Sequence, residues 1–254
     1  MQLFYTPDHA RVGDVIPYYE NGEFKLFYLK NWNPYFGSDK TYGWHLLTTK
    51  DLIHYESETA IGILGGTGCI IKVEGLYHLY YCVFEDQPQR QYVCHATSTD
   101  LTNWTKYPDE TFGPDESIYL LTDWRDPHVI WNEEEKCWWM ILCAQNQGNT
   151  KRRGCVGLCK SADLHHWTCC EPLYAPQSSM SAYECPDLFY MNGWWYLVFS
   201  QFTDRFQTLY RMSRSCNGPW IRPKTDSFDG RAFYAAKTCS DGEHRYIFGW
   251  NPTR

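Results

Sequence analysis

Apolar and polar positions along this chain recur in a block met five times. Each block is an apolar run, a short polar turn and a second run rich in aromatics. The copies are DVIPYYENGEFKLFYL (14–29), CIIKVEGLYHLYYCVF (69–84), DPHVIWNEEEKCWWMILC (126–143), CPDLFYMNGWWYLVFS (185–200) and YAAKTCSDGEHRYIFGW (234–250). Their turns (ENG, VEG, NEEEK, MNG, SDG) carry the glycine and side-chain chemistry of β-hairpins. A second element follows: TKDLIHY (49–55), STDLTNW (98–104) and SADLHHW (161–167), with a degenerate fourth copy at SCNGPW (215–220). The closing aromatics, Tyr55, Trp104, Trp167 and Trp220, stand 49, 63 and 53 residues apart. Each copy reads as a polar turn after a short strand. The unit is therefore a four-stranded antiparallel sheet of about 50–60 residues, and radial repetition of such sheets is a β-propeller. A β-sandwich is the alternative, but it rarely shows one motif at so long a period.

The pattern predicts an all-β, five-bladed β-propeller occupying residues 1–254 as a single domain, since no linker or low-complexity stretch divides it. The fifth unit ends just after its second strand. That blade is expected to be incomplete, closed by the N-terminal segment or by residues of a longer protein.

Composition narrows the function. Aromatics make up 18% of the 254 residues; they favour strands and offer flat faces on which sugar rings stack. The formal charge is −7 and the pI about 5.7, with no basic cluster. Nucleic acid and anionic membranes are not expected partners. No apolar run approaches the roughly 18 residues of a membrane span. The opening MQLFYTPDHARVGD lacks the basic and apolar regions of a signal peptide. Most of the twelve cysteines sit inside the strand patterns and form no CxxC pair. They read as small buried hydrophobes, reduced in a cytoplasm. The nine histidines show no metal-ligand spacing, and no metal or cofactor is expected. Phosphate-binding glycine loops and a GxSxG elbow are absent from the sequence.

Three acids stand at one register. In a propeller the first strand of each blade lines the central funnel, so residues at its start face the pocket. Asp14 opens the first unit, Asp126 the third, and Glu184 immediately precedes the fourth. One acid at such a place ordinarily satisfies backbone N–H groups in a turn. Three converging acids suit glycoside cleavage instead. One protonates the leaving oxygen, one attacks the anomeric carbon, and a third stabilises the developing charge.

At these residues the sequence resembles glycoside hydrolase family 32, the β-fructosidase and invertase family. WRDP (124–127) looks like the family's Arg-Asp-Pro motif and YECPD (183–187) like its Glu-Cys motif. Residues 26–56 are similar to its first-blade segment and 233–250 to its fifth blade. The resemblance implies that Asp14 is the nucleophile and Glu184 the general acid/base. It implies that Asp126, helped by Arg125, binds fructosyl hydroxyls and stabilises the transition state. Trp32, Asn33 and Trp44 fall where the family contacts sugar, and His128, next to the Arg-Asp-Pro motif, is a candidate for the funnel wall. The expected activity is retaining hydrolysis of β-fructofuranosides on a small carbohydrate substrate, with no cofactor and an oligomeric state left open.

The chain departs from the family in three ways. The segment RVGDVIP (11–17) replaces the usual Trp-x-Asn-Asp-Pro-Asn-Gly, Leu29 replaces a common Gln, and the C-terminal β-sandwich is missing. Arabinofuranosidase or xylosidase propellers, fructosyltransferases and a non-catalytic carbohydrate-binding propeller therefore stay open as alternatives.

Overall fold

A computed structural model describes residues 4–8, 10–31, 43–87, 89–148, 151–180, 182–203 and 206–251. Its first sheet holds β1 (Val12–Glu20), β2 (Glu23–Lys30), β3 (Gly43–Thr49) and β4 (Tyr55–Ala60). The second holds β5 (Gly68–Val73), β6 (Leu76–Asp86), β7 (Gln89–Ser98) and β8 (Thr105–Lys106). The third holds β9 (Tyr119–Asn132), β10 (Cys137–Asn146), β11 (Gly154–Ser161) and β12 (Thr168–Tyr174). The fourth holds β13 (Glu184–Met191), β14 (Trp194–Gln201) and β15 (Gln207–Ser213), and the fifth β16 (Tyr234–Ser240) and β17 (Arg245–Trp250). Strands run in chain order within every sheet, all antiparallel. The first strands touch in a closed ring: β1 meets β5, β5 meets β9, β9 meets β13, β13 meets β16, and β16 returns to β1. That is the expected propeller, each sheet one blade.

The near-continuous apolar runs follow from this arrangement. Side chains alternate along a strand with period two, and here both faces are covered. On β10, Met140, Leu142 and Ala144 pack toward blade 2, while Trp139 and Ile141 pack toward blade 4. On β2, Phe27 and Leu29 face blade 2, whereas Phe24, Leu26 and Tyr28 face blade 5. The core is thus divided into interblade layers. A single such side chain contributes about 1.5–3 kcal/mol by burial, so the ring is held by many small terms.

The recurring turn is built alike in three blades. Thr49, Ser98 and Ser161 accept the N–H of Leu52, Leu101 and Leu164 at 2.9, 2.8 and 2.9 Å. Asp51, Asp100 and Asp163 each accept the N–H groups two and three residues further on through one carboxylate oxygen. The three leucines adopt φ of 62°, 67° and 69°. The fourth copy differs from its sequence reading. Ser213, opposite Trp195, takes the place of Ser161, which is opposite Trp138. Ser215 stands for the aspartate and accepts the N–H of Asn217 at 3.2 Å, while buried Cys216 stands for the leucine. The true copy lies two residues upstream of the one suggested by Pro219 and Trp220.

Among the described residues the fifth sheet has two strands, and no strand pairs with the outer edge of β17. Residues of the N-terminal segment pack against blade 1 instead, with Tyr5 against Tyr28 and Tyr55 at ring separations of 5.6 and 5.0 Å. No helix among the described residues is long and apolar enough to cross a membrane.

Candidate active site

Four of the five first strands carry a β-bulge near the funnel end. Ladder register shifts between Val12 and Val15 on β1 and between Glu184 and Asp187 on β13. It shifts between Tyr234 and Lys237 on β16, and opposite Asp126 and Pro127 on β9. Asp126, Cys185 and Ala235 sit in these bulges at φ of 58°, 49° and 51°. A non-glycine residue held there costs about 1–3 kcal/mol. A bulge bends its strand and re-aims a side chain. Pro127 and Pro186 fit because a bulge frees the N–H that a ladder would need. The strain falls where the acids are.

Those acids share one cavity of about 420 Å³, lined by Asp14, Asp126, Glu184 and Arg125 among others. Asp14 accepts from Trp250 Nε1 at 2.8 Å on one oxygen, and from the Thr67 hydroxyl and the Cys185 thiol on the other. Asp126 accepts the Cys185 backbone N–H at 2.9 Å and is 4% exposed. Glu184 accepts from Arg125 Nη2 at 2.6 Å and from the Tyr234 hydroxyl. Arg125 is itself held by Asp123 at 2.6 Å and by Gln91 Oε1 at 3.2 Å.

Burial, with the neighbouring charge of Asp126, pushes the Asp14 carboxyl up to about 6, against the pull of its Thr67 and Trp250 hydrogen bonds. Burial and the Glu184 carboxylate hold the Tyr234 hydroxyl far above the ordinary phenol range, so it remains a donor. Burial and the two aspartates do the same to the Cys185 thiol. The cavity therefore combines three carboxylates with neutral donors and one guanidinium that is tied down. A second cavity, of about 520 Å³, lies between blade 1, β17 and the N-terminal segment. No acid lines it, and it offers no comparable chemistry.

Asp14, Asp126, Glu184 and Arg125 thus come together. Trp44 does not join them: it is 2% exposed and packs in the layer between blades 1 and 2 with Ile61 and Ile63. Its position on β3 faces other side chains, and its strand neighbour Leu29 lines the cavity instead. Trp32 and Asn33 lie outside the described residues. His128 faces Leu188 O and Asp187 between β9 and β13, not the cavity.

Sequence reasoning missed Thr67, Tyr234 and Trp250. Thr67 immediately precedes β5 and Tyr234 opens β16, so both stand at the register that singled out the acids. Reading that register for every residue type finds them. Trp250 ends β17 opposite Tyr234 and has no local signal.

The model of the glycosyl hydrolases family 32 N-terminal domain matches residues 15–253. The chain belongs to glycosyl hydrolase family 32. The match begins one residue after Asp14, where this family 32 chain carries its altered first motif. It is 26% identical to the levanbiose-producing levanase of Bacillus subtilis over 92% of this chain and 45% of that protein. It is 28% identical to the sucrose-6-phosphate hydrolase of Escherichia coli over 82% of this chain and 48% of that protein. Among solved structures, a mutant Bombyx mori GH32 beta-fructofuranosidase in complex with sucrose superposes with a TM-score of 0.69. That structure shares 25% identity over 94% of this chain and 55% of its own. The family 32 chain spans about half the length of the curated relatives it matches.

Proposed function

We propose that this family 32 propeller hydrolyses β-fructofuranosides, such as sucrose or fructo-oligosaccharides, with retention of anomeric configuration. The observation that carries this reading is the convergence of Asp14, Asp126 and Glu184 on one cavity. Asp14 Oδ attacks the anomeric carbon as the bond to the leaving oxygen breaks. Glu184 gives its proton to that oxygen. Water then attacks the anomeric carbon of the glycosyl-enzyme, its proton passes to Glu184, and Asp14 departs as a carboxylate. Asp126, buried and aimed inward by its bulge, binds ring hydroxyls and offsets oxocarbenium charge. Arg125 positions Glu184, and Thr67 and Trp250 hold Asp14 in line. Exposed Phe84 and Phe202 at the cavity mouth offer surfaces for the remainder of the substrate. The twelve free cysteines support a reducing compartment such as the cytoplasm.

The direct test is fructose release from sucrose, inulin and levan by the wild-type chain and by Asp14→Ala. Release by the first that is abolished in the second supports both specificity and nucleophile. No release from any of the three by folded wild-type protein overturns the fructosyl reading.

A further inference from the structure

Away from the acid-lined cavity, one cluster of titratable side chains joins two blades. Glu110 ends the short 3-10 turn Pro108–Glu110 that follows β8. Its Oε2 lies 2.6 Å from His95 Nδ1 on β7, and its Oε1 lies 2.8 Å from His165 Nδ1 in the turn between β11 and β12. The two imidazoles and the carboxylate place their ligand atoms within 4.8 Å of one another. His95 and His165 are 15 and 55 residues from Glu110 in sequence. No spacing along the chain signals the set; the stacking of blade 3 on blade 2 creates it.

The surroundings are those of a prepared site. His95 is 2% exposed, and its ring is stacked between Tyr80 at 4.6 Å and Tyr107 at 5.2 Å. The Tyr80 hydroxyl donates to Leu164 O at 2.6 Å, which ties that aromatic wall to the turn carrying His165. His95 Nε2 lies 3.0 Å from Nδ1 of His78, itself 5% exposed. A metal-bound imidazole gives its other ring N–H to a buried acceptor, which fixes tautomer and orientation. His78 Nδ1 stands where that acceptor is needed. The His165 side chain is 39% exposed, which leaves an entry path and room for a water ligand.

We infer that His95, Glu110 and His165 bind a divalent transition-metal ion of the zinc class and thereby clamp blade 2 to blade 3. Two imidazoles, one carboxylate and one open position are a donor set that zinc uses. Calcium and magnesium prefer all-oxygen cages, so they fit it poorly. At metal–ligand distances of about 2.0–2.1 Å, tetrahedral ligand atoms stand roughly 3.3 Å apart. Loading therefore spreads the present hydrogen-bonded contacts by about 0.5–0.7 Å. Each neutral ring carries its proton on Nε2 in the loaded form, and no net proton change is required. None of these residues lines the acid cavity, so the inference stands apart from the glycosidase reading.

The test titrates chelator-treated protein with ZnCl2 by calorimetry and follows melting with and without the metal. Wild type should bind one equivalent more than His165→Ala. Zinc should raise its Tm, reversibly with EDTA, but not that of the variant. Glu110→Gln should weaken this equivalent at least tenfold, and His78→Ala about 10–100-fold. His54→Ala, in the corresponding turn of blade 1, should change nothing. Cobalt(II) in the site should show visible ligand-field bands without the thiolate charge-transfer that binding to the cysteines would produce. Equal binding and equal Tm shifts in wild type and His165→Ala, or no zinc binding at micromolar metal, overturn the proposal.

Discussion

Aspartates stand at the funnel ends of the blades and again in their outer turns, and Asp14 at the funnel is held in the opposite way to those in the turns. Asp51, Asp100 and Asp163 face solvent and accept paired backbone N–H groups, with a further donor from His54, Asn103 or His166. Those hydrogen bonds, backbone ones first, hold their carboxyls far below the ordinary range. Asp14, at the other end, is partly buried beside a second carboxylate and is pushed up to about 6. The outer charges complete their turns. The inner charge opposes folding and is kept in place by Thr67, Trp250 and the bulged strands. Strain and unfavourable charge concentrated at one place mark that place for chemistry.

The largest effect that depends on the leaving group is expected at Glu184. Removing a general acid lowers kcat by about 10²–10⁴-fold, so with Glu184 in its proposed role Glu184→Gln should lose that much on sucrose. The loss should shrink on a fructoside with an acidic leaving group, which departs without a proton. Steady-state kinetics on both substrates checks this, and equal losses would assign Glu184 another role.

Asp14 gives the next effect, in both activity and stability. In its proposed role as nucleophile it must be ionised, so kcat/KM should fall as pH drops through about 6. For stability the sign is reversed. The folded carboxyl titrates at about 6 and the unfolded one near 3.8. The folded state therefore holds the extra proton between these values, and stability falls as pH rises through that window. At neutral pH the charge costs about 3 kcal/mol. Asp14→Asn should be inactive yet more stable than wild type at pH 7, with the advantage gone below pH 4. Denaturant melts of the pair at several pH values read this difference. The pair is needed because buried His128, lowered to about 4 chiefly by desolvation, gives wild type an opposite trend, losing stability as pH falls.

Packing should also separate the ends of a blade. A Cβ on Gly68, at the funnel end of β5, would meet Tyr80 O at 1.7 Å, whereas one on Gly22, in the β1–β2 turn, meets nothing within 4 Å. Gly68→Ala must move backbone and should cost about 1–3 kcal/mol or more. Gly22→Ala, at φ +79°, should cost only the left-handed strain of about 1–2 kcal/mol. Chemical denaturation of both variants gives the ranking.

The propeller was legible because five copies of one pattern share a register and because strands covered on both faces read as continuous apolar runs. The same double coverage made Trp44 misleading. When each face of a strand is buried, an aromatic's position does not tell a funnel contact from an interblade one. The acids were legible as chemistry, whereas Thr67 and Tyr234 at the same register were passed over because they are not acids. The fourth turn was misplaced because Ser215 does with a hydroxyl what aspartate does elsewhere, while Pro219 and Trp220 imitate the motif's ending. The His95, Glu110 and His165 cluster left no trace in the sequence, since only interblade stacking brings its members together.

The smallest effect is expected at Asp100, and its pH dependence tests the whole comparison. Asp100 accepts the N–H groups of Thr102 and Asn103 and faces solvent, while Leu101 beside it is buried at φ 67°. Removing the carboxylate in Asp100→Ala leaves two turn N–H groups to water and loosens a left-handed leucine. Tm should fall by a few degrees with kcat unchanged. Because the folded carboxyl lies below its ordinary 3.8, its stabilisation is complete above that value and is lost only as pH falls below it. The stability gap between Asp100→Ala and wild type should therefore stay constant from pH 5 to pH 8. Over the lower part of that range, up to about pH 6, the gap for Asp14→Asn should still be changing. If both gaps moved together, the aspartates at the two ends of the blade would share one environment, and the funnel would lose its claim to be the place where charge is held at a cost.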